Sequence, residues 1–145
     1  MAGRASVRVQ HWIACLDRRV VAPAGPQNHY NLFSVGYRYL APPETEFPWT
    51  IRHLDMFARF VGGTATRQFE VRVVWVDAPD RPQRVEVYGP LQVVFRPGDA
   101  VRNFVFRLRN IPIPGPGRYR LRLFEIGTRP SPLLATEYIE IGRQS

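Results

Sequence analysis

Residues Asn103 to Gly127 read NFVFRLRNIPIPGPGRYRLRLFEIG. Two alternating runs flank a stiff corner. In the first, Phe104, Phe106 and Leu108 share one parity, and Val105, Arg107 and Arg109 the other. In the second, Tyr119, Leu121 and Leu123 alternate with Arg118, Arg120 and Arg122. A period of two marks strands buried on one side. Pro112, Pro114 and Pro116 remove backbone donors, and Gly115 and Gly117 free the chain, so the corner is not helical.

Working outward, the same period recurs. Ser6 to Leu16 alternates, with His11 breaking its apolar face. Tyr30 to Leu40 is an aromatic-rich second strand. The stiff loop from Ala41 to Pro48 follows. Trp49 to Val61 fits two readings: Ile51, Leu54, Phe57 and Val61 have helical spacing, while Leu54, Met56, Ala58 and Phe60 alternate. A strand is the favoured reading. Gly62-Gly63 turns the chain into Gln68–Asp77, where Phe69, Val71, Val73 and Trp75 alternate. Gly89-Pro90 breaks the strand from Arg84 to Phe95 and places it at a sheet edge. A final strand runs from Leu133 to Ile141. About eight short strands without a clear helix predict one all-β domain over residues 1–145, a two-sheet antiparallel β-sandwich. A barrel is the alternative.

The corner also carries a resemblance. Pro116-Gly117-Arg118-Tyr119 resembles the turn into the sixth strand of immunoglobulin-like domains, whose tyrosine bonds back to the corner backbone. Tyr119 would fill that structural role. The chain further resembles small bacterial β-sandwich proteins of uncharacterised function. The matching residues are Asn31-Leu32-Phe33-x-Val35, Phe47-Pro48 and the Gly-x-Tyr-x-Leu run at Gly117–Leu121. The resemblance implies an immunoglobulin-like fold and no activity.

Composition sets the outer limits. Of 145 residues, 45% are hydrophobic and 22% charged, as in ordinary globular domains. No apolar run reaches the roughly 20 residues of a membrane helix. The first residues, MAGRASVRVQHW, lack a signal peptide's apolar core, and one cysteine, Cys15, allows no internal disulfide. The expected setting is the cytoplasm. All 20 basic residues are arginine, against 12 acids, for a net charge of +8. Such a balance suits an anionic partner, although abundant Arg, Pro, Gly and Ala also fit a codon bias.

No pattern of residues specifies catalysis, a cofactor or a metal. A nucleophilic Cys15 would need a base, and His11 is on the order of 13 Å away along the strand. His53 and Asp55 share a face if their segment is a strand, but two ligands make no metal site. The pairs Glu44/Glu46 and Asp77/Asp80 lie in proline-rich loops with no apolar pocket. The arginine rows at 107–109 and 118–122 fall on opposite outer faces if the corner crosses between sheets, and then form no single nucleic-acid groove. The expected function is therefore non-catalytic protein–protein contact, with a protein partner or by self-association in an assembly, and an Arg-rich anion- or nucleic-acid-binding module is the alternative. A Cys15-dependent hydrolase is the remote third.

Strict alternation of strand direction would collect the candidate interaction residues at two ends. One end carries Arg18, Arg19, Arg67, Arg96 and Arg129 against Asp17 and Asp99. The other carries Glu44, Glu46, Asp77 and Asp80 against Arg81, with Trp49 heading the strand that leaves it. Opposite charges at opposite ends favour head-to-tail association.

Overall fold

The computed structural model describes residues 7–15, 21–23, 30–32, 38–78, 85–98, 100–127 and 130–143. Ten strands follow in chain order: β1 (Arg8–Cys15), β2 (Val21–Pro23), β3 (Tyr30–Leu32), β4 (Arg38–Ala41), β5 (Trp49–Val61), β6 (Ala65–Trp75), β7 (Val85–Phe95), β8 (Val101–Ile113), β9 (Gly117–Ile126) and β10 (Leu133–Arg143). Eight of them build two sheets, ordered β1-β5-β8 and β4-β10-β9-β6-β7, while among the described residues β2 and β3 pair with each other. The all-β expectation therefore holds, and none of the described residues is helical.

The alternating runs explain the layers. Met56, Ala58, Phe60, Phe106 and Leu108 from the smaller sheet meet Phe69, Val71, Leu121, Leu123 and Ile139 from the larger in one buried core. Phe60 packs on Phe69 with ring centroids 4.9 Å apart, and edge-on to Phe106 at 6.2 Å. Trp12 ties the layers together, its indole N–H donating to the Leu121 carbonyl at 3.2 Å.

The opening stretch behaves as read. Strand β8 lies in the smaller sheet and β9 in the larger, so the 114–116 corner crosses between layers. Tyr119 is buried, its hydroxyl donates to the Gly115 carbonyl at 2.5 Å, and the Gly115 N–H points back at 3.3 Å. Burial pushes the Tyr119 hydroxyl up to about 12, against the lowering effect of that backbone bond. Trp75 stacks on its ring at 6.1 Å with an interplanar angle of 8°. A Cβ on Gly115 would stand 2.7 Å from the Trp75 ring, so only glycine lets the corner close there.

The ambiguous segment is a strand, and the structure shows why it resembled a helix. Along β5 the core-facing residues are Trp49, Ile51, Leu54, Met56, Ala58 and Phe60. Parity slips between Ile51 and Leu54, giving a three-residue step. The partner slips at the same level, from Leu108 to Ile111, where Asn110 adopts φ 54°. Register is kept on both sides, Ile51 opposite Ile111 and His53 opposite Arg109. Phe57 faces outward and packs with Ile13, Cys15 and Val105 in a second, smaller cluster.

Other details differ from expectation. The sandwich is not wholly antiparallel: β4 pairs with β10 in parallel. The expected second strand, Tyr30 to Leu40, is divided between β3 and β4, which belong to different sheets. Strand β6 begins at Ala65, so Arg67 belongs to a strand and not to a turn. Strand β7 does lie at the edge of the larger sheet, with a register shift opposite Gly89-Pro90, as the missing proline donor requires.

Candidate functional site

The two ends fare differently. Strands β5, β8, β9 and β10 bring Trp49, Ile113, Gly117 and Ile141 to a common end by register. Loop 42–48 and the 114–116 corner gather there, as expected. Glu44, Glu46 and Asp77 are exposed on it, and Trp49 is half-buried against the core. Asp77 is partly engaged: its Oδ2 accepts the Arg118 backbone N–H at 2.8 Å, and its Oδ1 lies 3.7 Å from the Arg118 guanidinium.

At the opposite end one of the expected surface arginines is buried instead. Arg67 points into the sandwich and is only 3% exposed. Its Nη1 donates to Glu125 Oε1 at 2.9 Å, and its Nε to the Thr64 carbonyl at 3.1 Å. Arg67 thus precedes Phe69, Val71 and Val73 on the core-facing parity, a place for which its charge gave no hint. Arg96 is exposed at this end. Arg18, Arg19 and Arg129, with Asp17, Asp80, Arg81 and Asp99, lie outside the described residues. Strand direction also departs from simple alternation. Since β1 is antiparallel to β5, the chain leaves Cys15 heading toward the Glu44 end.

The outer face of the larger sheet carries Arg120 and Arg122 in two cross-strand rows. One row runs Tyr138, Arg120, Val74, Val85; the next runs Thr136, Arg122, Arg72, Val87. Arg72 bonds to Glu70 and lies 3.9 Å above the Phe124 ring. Glu137 does not pair with these arginines, because it falls on the other parity, opposite Leu121. Glu140 sits beside Arg118 in register and lies 4.0 Å from Arg38. At the β7 edge Val85, Val87 and Val94 are 46%, 53% and 49% exposed, and Tyr138 on β10 is 44% exposed.

The outer face of the smaller sheet holds a polar pocket of about 130 Å³, lined by His53, Asp55, Arg107 and Arg109. Two cross-strand pairs form it, His53 opposite Arg109 and Asp55 opposite Arg107, directly beside the parity slip. Cys15 stands across Asp55 on β1. Asp55 is 7% exposed, and burial raises its pKa against the lowering fields of Arg107, His53 and Arg109. Cys15 is fully buried, and its thiol is pushed up to about 11 by burial and by Asp55. The sequence marked the shared face of His53 and Asp55. It did not mark the two arginines facing them, because register across β5 and β8 is what joins them. Among the described residues no group of three metal-ligating side chains is assembled.

No curated protein matches the sequence. Among solved structures the fold is similar to a beta-glucosidase from Listeria innocua, solved in complex with gluconolactone. That likeness has 12% identity and a TM-score of 0.48, and covers 95% of this chain but 16% of the enzyme. A family model, described as a family of unknown function (DUF6941), matches residues 24–129. The chain belongs to that family.

Proposed function

We propose that this domain is a non-catalytic, immunoglobulin-like β-sandwich that works by protein–protein contact through the β7 edge and the adjoining outer face of the larger sheet. The observation that carries this reading is the row of exposed valines at that edge, Val85, Val87 and Val94. Large exposed apolar side chains on an edge strand suit an added partner strand. The same face supplies Tyr138, Arg120 and Arg122, residue types enriched at interfaces. The immunoglobulin-like part is supported by the Tyr119 bond to its corner and by the crossing of β8 into β9 between sheets.

The non-catalytic part is supported by the state of Cys15. A thiol pushed up to about 11 and fully buried stays protonated at neutral pH, which disfavours nucleophilic attack. A buried free thiol also suits the reducing cytoplasm. Nucleic acid is the weaker reading, because Arg107 and Arg109 stand on one outer face and Arg118 to Arg122 on the other. With Arg67 buried, sideways contact at β7 is better supported than head-to-tail stacking of charged ends.

A photo-crosslinking residue at position 87, expressed in the native cell, tests the reading. A discrete protein adduct at 87, absent from a probe at exposed Arg8, is expected. Equal labelling at both positions removes the β7 edge as the contact. Sedimentation of the pure domain then says whether the partner is a second copy.

A further inference from the structure

We propose that the pocket between His53, Asp55, Arg107 and Arg109 binds a small oxyanion that carries its own proton, a hydrogen phosphate or phosphomonoester group. Two features of the pocket point there. Arg107 and Arg109 are exposed and make no ion pair within 4 Å among the described residues, so two guanidinium groups stand ready for an anion. Arginine presents planar, forked donors that match phosphate oxygens.

The second feature is independent. Asp55 is more than nine-tenths buried, lines the same pocket, and its carboxylate has no hydrogen bond or ion pair among the described residues. A largely buried carboxylate that reaches solvent only through the pocket is poorly hydrated, and a ligand that donates to it there offsets that cost. Strand register holds it opposite Arg107 without closing a salt bridge. On its other side stand Cys15, a weak donor, and the apolar group of Phe57, Ile13 and Val105. The open direction is therefore toward the arginines and His53.

An acid among cations selects between anions. A bare oxyanion brings only acceptors and meets repulsion from Asp55. A P–OH group donates to the Asp55 carboxylate while its other oxygens accept from Arg107 and Arg109. Sulfate, unprotonated at neutral pH, lacks that donor. A site built to receive a hydrogen bond rejects the analogue that cannot supply it. A divalent cation is disfavoured by the two guanidinium charges in the same small space.

Titration of the intact domain at pH 6, where a large share of phosphate and phosphomonoester groups keeps a P–OH and sulfate has none, tests this by two-dimensional amide NMR with three probes: inorganic phosphate, glycerol 3-phosphate and sulfate. Saturable shifts centred on residues 53, 55, 107 and 109 are expected with phosphate or glycerol 3-phosphate. Sulfate is expected to bind at least tenfold more weakly. Tighter binding of inorganic phosphate identifies the free ion as ligand, and tighter binding of glycerol 3-phosphate identifies a phosphomonoester. Arg107→Gln should weaken the tighter probe tenfold or more, Asp55→Asn should erase the preference over sulfate, and Arg8→Gln should change neither. The wild-type comparison alone can overturn the proposal: equal affinity for phosphate and sulfate, or shifts spread over every arginine row, means only diffuse attraction to a basic protein.

Discussion

Two acids in this domain are buried to the same 7%, and both face arginine, yet they are held in opposite ways. Glu125 meets Arg67 at 2.9 Å between the sheets, and Arg67 is held again by the Thr64 carbonyl. Asp55 faces Arg107 across two strands of the outer surface and closes no pair. The difference lies in the path to contact. Arg67 and Glu125 occupy core-facing positions on neighbouring strands β6 and β9, and fold into each other as the sandwich closes. Arg107 and Arg109 lie on the outer face of one strand, where water competes for their guanidinium groups. A finished pair holds a fold, whereas an unfinished one leaves room for a ligand.

The largest effect should follow from breaking the finished pair. Arg67→Ala leaves Glu125 buried without a counter-charge, which typically costs about 3–5 kcal/mol. Urea unfolding measures it as a lowered midpoint at unchanged slope. Arg67→Met combined with Glu125→Leu should recover most of the loss, because well-packed apolar side chains replace buried pairs at little cost. If the double variant is as unstable as the single, the pair specifies this end of the sandwich beyond its electrostatics.

The other end of the core is closed by a neutral bond, which sharpens the comparison. Tyr119→Phe removes the hydroxyl that donates to Gly115 and should cost about 0.5–1.5 kcal/mol, less than a broken buried ion pair. Wild-type stability in this variant would mean that stacking on Trp75 holds the corner by itself.

This contrast also marks what the sequence could tell. Alternation at Phe104–Leu108 and Tyr119–Leu123 gave the strands, and the prolines between them gave a non-helical corner, whose crossing between sheets only the structure shows. Pro90 gave the edge, since a missing donor is a local property. Arg67 was misread because its burial depends on Glu125, 58 residues further along the chain. The pocket was half legible for a similar reason. His53 and Asp55 share a face by local period, but their pairing with Arg109 and Arg107 depends on the register between β5 and β8. The slip at Ile51–Leu54 imitated a helix because both strands turn over together at Asn110, a coupling that one segment cannot display.

The smallest effect should come from Asp55→Asn, and its sign is more informative than its size. The substitution nearly preserves shape, so packing changes little. Burial is the largest influence on Asp55 and raises its pKa above the ordinary 3.8. Between 3.8 and that raised value the folded chain binds a proton that the unfolded chain has released. Folding stability therefore falls as pH rises through this window, and is level above it. Asparagine has no proton to lose, so its variant should lack the decline. Thermal melts of both proteins should nearly coincide below pH 3.8 and separate at pH 7, with the asparagine variant melting higher. Phosphate in the buffer should shrink the gap by raising the wild-type melt more than the variant's, since a ligand that donates to Asp55 stabilises the carboxylate in the folded state. A gap of the same size at every pH would show that Asp55 already has a partner in solution, and would remove the contrast with Glu125.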